Sequence, residues 1–216
     1  MKKMNPENET VMKILEAAAE IFSKSGYSNG TFREIAKKAN VNNAAINYYF
    51  GDKEQLYAYV MDYWRDIAYK KYPLDDVINT SLPPEERLRI FIRQLCFSLM
   101  DLDGSPWFGK LITWESSVAP TEILDKMVQE NLGPVTREVS NIIQEMLGEG
   151  FSKEETTYYT ASIVGQCSYY YVCRHISKHL FGIGEVFSKS DIENIVQHVT
   201  DFSLNAIYAA KANRSA

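Results

Sequence analysis

The side chains best suited to molecular recognition lie in the segment 42–50, NNAAINYYF, which carries amides and phenols but no charge. Ile46 and Phe50 are spaced to share the buried side of a helix. The other sides then present two amides, a methyl group and a phenol, from Asn43, Ala44, Asn47 and Tyr48. Groups of these types can read base edges in the major groove of DNA and contact thymine methyl groups or phosphates. The pattern therefore predicts a helix that reads DNA.

Neighbouring residues are placed to hold the DNA backbone. Thr31 begins a helix whose first amides are neutral donors to phosphate, and Lys53 supplies a positive charge near the start of a later helix. Contacts of this kind position a protein on DNA rather than specify a sequence. The full predicted DNA-contacting set is Thr31, Arg33, Asn42, Asn43, Ala44, Asn47, Tyr48, Tyr49 and Lys53.

Sequence patterns of catalysis are missing. The chain has no nucleophile–histidine–acid set, no glycine-rich phosphate loop and no HExxH motif. His175 and His179 are one helical turn apart and could offer two ligands to a metal. With Lys178, however, they fall at an expected helix end, where positive charge meets the negative end of the helix dipole. We therefore expect no enzyme activity, no metal and no cofactor.

Three short helices must position the predicted DNA contacts. Apolar residues at positions 11, 15, 18 and 22 follow one helix face and predict a first helix that stops at the glycine of position 26. Thr31 and Glu34 form a capping box for a second helix, which runs to about residue 39. Asn40 tolerates left-handed backbone, and Asn42 or Asn43 can cap a third helix that ends near residue 50.

The rest of the chain shows helical periods and no convincing strand pattern. A long helix over 52–71 has an apolar stripe at Leu56, Tyr59/Val60, Tyr63 and Ile67, and a segment with three prolines follows it. Further helices are predicted at about 84–102, 107–117, 120–132, 134–148, 152–178 and 190–211. Capping boxes at Ser152 and Ser190 begin the last two, and Gly133-Pro134 is expected to break or kink the run before them.

The predicted fold class is all-α. An N-terminal three-helix helix-turn-helix domain, the head, covers residues 1–55, and a C-terminal helical bundle for ligand binding and dimerisation, the body, covers residues 56–216. The long helix 52–71 joins the two.

The segment 31–57, TFREIAKKANVNNAAINYYFGDKEQLY, resembles the DNA-binding domain of the TetR family of regulators. The residues that fall on the family pattern are Thr31, Ile35, Ala36, Ala39, Val41, Ile46, Tyr49, Phe50, Lys53, Glu54 and Leu56. The chain departs from the pattern at Asn40 for the turn glycine, at Asn42 for the capping serine, and at Asn47 for a phosphate-contacting tyrosine. Segments of the body, PTEILDKMVQENLGP and EETTYYTASIVGQCSYYYVCR, resemble the CecR-like branch of that family.

Aromatic side chains are frequent in the body, and for any one of them a place in the core is the simpler interpretation. Buried tyrosine and tryptophan also need partners for their polar tips, so a cluster near Glu115 and Gln166 could line an apolar pocket. The resemblance implies such a pocket as well, because family members commonly bind a small molecule between the body helices and then release DNA. The predicted ligand-contacting set is Trp107, Phe108, Leu111, Trp114, Glu115, Gln166, Tyr169 and Tyr170.

The charge is unevenly distributed. The whole chain has 23 basic and 28 acidic residues, a net −5, whereas residues 1–53 carry +2 and the other 163 residues carry −7. This direction fits a DNA-facing head.

The three cysteines, Cys96, Cys167 and Cys173, show no CxxC spacing and suit a reducing compartment. No signal peptide or membrane helix is evident, so we expect a cytoplasmic protein without a membrane partner.

A recognition helix this short reads few base pairs, so we expect a homodimer whose second half-site lies about one turn, roughly 34 Å, away. Two surfaces could form its interface: a small-residue face at Ala161, Ser162 and Gly165, and an apolar stripe at Ile195, Val199, Phe202 and Ile207.

The sequence predicts a ligand-responsive regulator, a repressor that binds a palindromic double-stranded operator and is released by a small apolar or aromatic effector. The alternative is a helical small-molecule-binding dimer or enzyme without sequence-specific DNA binding.

Overall fold

The computed structural model describes residues 8–78, 81–101, 103, 107–117, 121–184 and 186–215. These residues are mostly helical and include no strand, which confirms the predicted all-α fold class. Residue 102, where the helix expected from residue 84 ends, and residue 120, where another expected helix begins, lie outside the described residues. None of the helices described is both long and apolar enough to cross a membrane.

The helices are numbered in chain order. They are α1 Glu9–Asn29, α2 Phe32–Ala39, α3 Asn43–Phe50, α4 Lys53–Lys71, α5 Pro84–Met100, α6 Phe108–Ser117, α7 Glu122–Met127, α8 Gly133–Leu147, α9 Lys153–Val172, α10 Arg174–Phe181 and α11 Lys189–Ser215. A 3-10 turn, Asp75–Val77, lies between α4 and α5, and a π turn, Val128–Leu132, joins α7 to α8.

The chain packs into two compact units. The first unit comprises the described residues within 1–67 and 106–125, and the second comprises those within 68–105 and 126–216. The first therefore holds the three helices of the head, most of α4, and α6, which packs on α1. This grouping differs from the boundary expected at residue 55, because α6 lies among the helices of the first unit. As a functional division, that boundary stays a prediction.

The first unit forms around the apolar face of α1 and one side of α4. The side chain of Asn8 caps α1, and the four apolar positions expected on its inner face are buried. On α4 the stripe is displaced from the expected one: Tyr59, Tyr63 and Ile67 are only half-buried. The fully or nearly fully buried side chains are Leu56, Tyr57, Val60, Met61, Trp64 and Ala68. Tyrosines with polar tips stay at the edge of this core, where part of the side chain reaches water.

The second unit is a bundle in which α5 packs on α8, α9 and α11. Two expected helix boundaries there were wrong. α9 ends at Val172 rather than near residue 178, because Arg174 lies over the Tyr171 ring and donates to the Tyr171 carbonyl at 2.7 Å, which satisfies an acceptor of the last turn. α11 begins after Ser188 rather than Ser190, because Ser188 exchanges capping hydrogen bonds with Asp191.

At Gly133-Pro134, where a break or kink was expected, α8 begins after a π turn and the chain does not break. The helical path instead continues from α7 into α8 through the π turn, and the Gly133 amide donates to the Val128 carbonyl. Pro134 follows the π turn, and because it has no N–H it cannot continue the regular hydrogen-bond ladder from that turn, so the irregular turn and the proline fall together.

A buried arginine ties three segments of the second unit together. Arg87 on α5 is only 4% exposed. Its Nε donates to the Val77 carbonyl at 2.8 Å, and its two terminal nitrogens lie 2.6 Å from Glu138 and 3.3 Å from Glu145 on α8. A buried guanidinium is tolerated because every branch has an oxygen partner.

We predict that Arg87→Ala lowers the free energy of unfolding by about 3 kcal/mol, because it leaves a partly buried carboxylate and a backbone carbonyl without their donor. Arg89→Ala is the matched control on the same helix, where the side chain is 36% exposed and lies 3.8 Å from Glu86. Its expected loss is below about 1 kcal/mol. Urea denaturation of both variants provides the measurement, and equal losses would contradict the assigned role of Arg87.

Candidate nucleic-acid interface

The third helix, α3, presents the polar surface that the sequence predicts. Ile46 and Phe50 are buried against the first unit, at 0% and 2% exposure. The side chains of Asn43, Ala44 and Asn47 are exposed, and Tyr48 is 78% exposed. An eight-residue helix with one buried side and three neutral polar side chains facing solvent can enter a major groove without first breaking internal ion pairs.

Asn42 has a structural task besides its predicted DNA contact. Its side-chain oxygen accepts from the Ala45 amide at 2.8 Å, so Asn42, and not Asn43, caps α3. In the turn before it, Asn40 adopts left-handed backbone, with φ 54°, and its N–H donates to carbonyls at the end of α2. Asparagine tolerates this conformation, which explains how the chain makes the turn without the usual glycine.

The start of α2 is built as expected. Thr31 accepts from the Glu34 amide at 3.3 Å, and the Glu34 carboxylate accepts from the Thr31 amide and hydroxyl at 3.1 and 2.7 Å. These hydrogen bonds lower the pKa of Glu34. Arg33 is exposed in the first turn of α2. A phosphate contact by the Thr31 hydroxyl would compete with its bond to Glu34, whereas Arg33 lies open to solvent.

Lys53 is half-buried rather than fully extended into solvent. Its Nζ donates to the Ser28 carbonyl at 3.0 Å and lies 4.7 Å from the centre of the Tyr27 ring. Burial lowers the pKa of Lys53. Lys53 thus joins the start of α4 to the last turn of α1. Tyr49 is also half-buried, and its hydroxyl accepts from the Asn8 side chain at 3.3 Å.

A buried carboxylate holds α6 within the first unit. Glu115 is 0% exposed. The Tyr57 hydroxyl of α4 donates to one of its oxygens, and the Thr121 amide and hydroxyl donate to the other at 3.1 and 2.9 Å. Burial, followed by the hydrogen bond to Glu115, raises the pKa of Tyr57. Three neutral donors therefore satisfy this carboxylate and connect α6, α4 and the start of α7.

The predicted ligand-contacting residues fall in both units. Phe108, Leu111 and Glu115 are buried in the first unit, where Trp107 and Trp114 are half-buried. Trp107 packs edge-on against Trp64, with ring centres 6.5 Å apart. In the second unit, on α9, Gln166 and Tyr170 are half-buried and Tyr169 is 40% exposed. That these residues form a ligand site stays a prediction. Both side-chain oxygens of Glu115 already accept hydrogen bonds from Tyr57 and Thr121.

Sequence reasoning missed Tyr57, Thr121 and Gly26. Tyr57 follows the last residue of the matched motif and falls beside the expected stripe of α4. Thr121 and Glu115 are close in sequence, but nothing in their types indicates a shared hydrogen bond. Gly26 was interpreted as a helix stop, and the backbone does leave the helical conformation there, with φ 73° and ψ 175°, before one more turn of α1 follows; what the sequence did not reveal is that this glycine is buried. A glycine inside a helical pattern was the available signal for a close contact.

A three-helix head with a capped second helix and an outward-facing polar third helix defines a helix-turn-helix protein. Residues 14–60 match the family described as bacterial regulatory proteins, tetR family. Residues 84–207 match the family described as HTH-type transcriptional dual regulator CecR, C-terminal domain. The chain belongs to the TetR family of transcriptional regulators, and more than half of it is a CecR-type C-terminal domain.

Individual relatives agree with this assignment. The HTH-type transcriptional dual regulator CecR of Shigella flexneri is 25% identical over 162 residues, which are 71% of this chain and 72% of that protein. The HTH-type transcriptional repressor NicS of Pseudomonas putida is 42% identical over 50 residues, and this match spans only 23% of the present chain and 24% of NicS.

Solved structures share the fold at low identity. A TetR-like transcriptional regulator from Rhodococcus sp. RHA1 superposes with a TM-score of 0.66 at 16% identity, over 95% of this chain and 99% of that one. AibR, solved with isovaleryl coenzyme A and operator DNA, gives 0.64 at 20% identity, over 89% and 97%. FadR of Bacillus subtilis, solved with stearoyl-CoA, gives 0.63 at 18% identity, over 89% and 97%.

We predict that Asn42→Ala lowers the free energy of unfolding by about 1 kcal/mol, because the first turn of α3 loses its capping acceptor. Asn42→Asp should retain most of the stability, since a carboxylate caps equally well. Asn43→Ala is the matched control, because the Asn43 side chain is exposed. Thermal and urea unfolding of the three variants measure the difference. A loss for Asn43→Ala as large as that for Asn42→Ala would show that the cap is misassigned.

Proposed function

We propose that this chain is a ligand-responsive repressor that binds a palindromic operator as a homodimer. The observation that carries the proposal is the exposed side of α3, where Asn43, Asn47 and Tyr48 face solvent beside the capped start of α2. Asn43 and Asn47 read base edges, Ala44 contacts a thymine methyl group, and Thr31, Arg33, Asn42, Tyr48, Tyr49 and Lys53 position the head on the backbone. Because its partner is chromosomal DNA, the protein acts in the cytoplasm.

The proposed dimer forms through one side of α9 and α11. On α9, Tyr158, Ala161, Ser162, Gly165 and Tyr169 are exposed at helical spacing. A side chain at Gly165 would meet nothing within 4 Å in the single chain, so the glycine leaves room for a second copy. On α11, Phe202 is 57% exposed, whereas the other three members of the expected stripe are buried in the second unit's own core. Exposed apolar area of this kind supports a protein interface.

The proposed effector is a small molecule with an apolar part. AibR and FadR, which share the fold, were solved with coenzyme A thioesters of a short and a long acyl group. In the described part of the second unit, the Gln94 side-chain oxygen, the Tyr171 hydroxyl and the Ser177 hydroxyl are buried and lack a hydrogen-bond partner. Buried polar groups of this kind are available for hydrogen bonds to the polar atoms of a ligand.

Effector binding releases DNA by favouring a state of the dimer whose heads no longer fit the half-site spacing. To lower operator affinity about 100-fold, the effector must bind that state better by about 2.7 kcal/mol. This amount lies within the range that one ligand site supplies.

We predict that Asn43→Ala and Asn47→Ala each lower affinity for the cognate operator by about tenfold or more, because each removes a base-reading amide. Affinity for random DNA and the salt dependence should stay unchanged, since phosphate contacts govern both. Electrophoretic-shift titrations on DNA from the chain's own upstream region give the affinities. Asn141→Ala, which removes an exposed amide of α8, is the matched control. Equal wild-type binding to cognate and random DNA at all salt concentrations would contradict the repressor assignment.

The dimer surface makes a separate prediction. Gly165→Leu should weaken self-association strongly without unfolding the chain, because the added side chain has free space in the monomer and none in a close helix contact. Gly165→Ala, which raises helix propensity by about 1 kcal/mol, should leave association nearly unchanged. Sedimentation equilibrium measures both. An unchanged association constant for Gly165→Leu would place the interface elsewhere.

A further inference from the structure

A hydrogen bond between two side chains joins the start of α1 to the end of α3. Asn8, the residue before α1, donates from its amide nitrogen to the Tyr49 hydroxyl at 3.3 Å. Asn8 is exposed and Tyr49 is half-buried, so water competes for both groups. A hydrogen bond in such a setting adds little to the stability of the fold. Its main effect is on the orientation of the groups that form it.

The cap of α1 fixes the direction of this hydrogen bond. The Asn8 side-chain oxygen accepts from the backbone amides of Thr10 at 2.9 Å and of Val11 at 3.4 Å. Backbone amides can only donate, so the oxygen of Asn8 has to face them and its NH₂ group has to face Tyr49. Because an NH₂ group can only donate as well, the Tyr49 oxygen has to accept.

A tyrosine hydroxyl that accepts a hydrogen bond keeps its own proton for a second partner. In the part of the chain that the structure describes, no residue accepts this proton from Tyr49. The Tyr49 ring is itself held by the Tyr48 ring, which lies edge-on with ring centres 5.1 Å apart. The position of the hydroxyl and the direction of its proton are therefore both set within the head.

The chemistry of this hydroxyl fits a phosphate oxygen of DNA. Tyr49 lies on α3, the helix whose exposed side is proposed to read base edges, and tyrosine hydroxyls are among the groups that contact the DNA backbone. A phosphate oxygen is ionised and can only accept, so it needs a donor, and a hydrogen bond to it is about twice as strong as one between neutral groups. The hydrogen bond that Tyr49 accepts from Asn8 also polarises its O–H, which makes it a better donor.

We propose that Asn8 is a positioning residue that directs the Tyr49 hydroxyl proton toward a DNA phosphate. The inference rests on the proposed function, because it requires DNA beside the exposed side of α3. Asn8 acts through Tyr49 and needs no contact of its own with DNA. By donating to the Tyr49 oxygen, it leaves the hydroxyl free to donate to the phosphate.

Asn8→Asp tests this role, because it keeps the cap and reverses the hydrogen bond. A carboxylate caps α1 as well as the amide does, but it can only accept, so it draws the Tyr49 proton away from DNA. The probe is a duplex that the wild-type chain selects from a random-sequence pool. Its affinity in electrophoretic-shift titrations should fall about tenfold or more, because each head of the proposed dimer loses a hydrogen bond to a charged group. Thermal stability should stay unchanged.

The same substitution in a Tyr49→Phe background separates the direction of the hydrogen bond from the added negative charge. Without the hydroxyl, Asn8→Asp should cost no more than about threefold in affinity, the part that repulsion between screened charges supplies. Asn8→Ser is the uncharged variant, because serine caps a helix as well but lacks the amide donor. Its loss should be about threefold with the Tyr49 hydroxyl present and undetectable in Tyr49→Phe.

The two backgrounds give distinct outcomes. An equal loss from Asn8→Asp with and without the Tyr49 hydroxyl would overturn the proposal, because charge alone would then account for it. Wild-type affinity in Asn8→Ser would overturn it as well, since the amide donor would then be dispensable. Failure of the wild-type chain to select any duplex would instead contradict the proposed function, and the inference with it.

Discussion

The burial of the Glu115 carboxylate is the constraint on which the arrangement of the first unit depends. A carboxyl group without contact to water is tolerated only when its oxygens have donors, and among the described residues Tyr57 and Thr121 supply them. Any displacement of α6 along α4 would leave these groups unpaired in an apolar surrounding. The network therefore specifies one position for α6 and makes a body-derived helix part of the DNA-binding unit.

The head has a low net charge, and the exposed side of its recognition helix α3 carries uncharged polar side chains. Lys53 is the cation nearest the recognition helix in sequence. Its ammonium group already donates to the Ser28 carbonyl and lies over the Tyr27 ring. Under the function proposed above, affinity for DNA then comes largely from backbone amides, side-chain amides and the pairing of two heads in the proposed dimer, rather than from a dense basic patch.

Much of this could be predicted from the sequence, because local signals decide it. The capping box at Thr31, the left-handed Asn40 and the inner side of α3 depend on residues a few positions apart, and the structure confirms each of them. The end of α9 and the start of α11 were misplaced by several residues, because a side chain to carbonyl contact and a competing serine cap decide them. The contacts of Glu115 with Tyr57 and of Gly26 with Trp114 join residues 58 and 88 positions apart, so no local pattern reveals them.

A double-mutant cycle on Tyr57→Phe and Glu115→Gln tests most directly whether this network fixes α6 in the first unit. If it does, the two substitutions are strongly non-additive, with a coupling free energy of about 1 kcal/mol or more in urea unfolding, because Tyr57→Phe removes the donor of the shared hydrogen bond and Glu115→Gln removes the negative charge that strengthens it. Additive losses, with a coupling free energy near zero, would contradict the account.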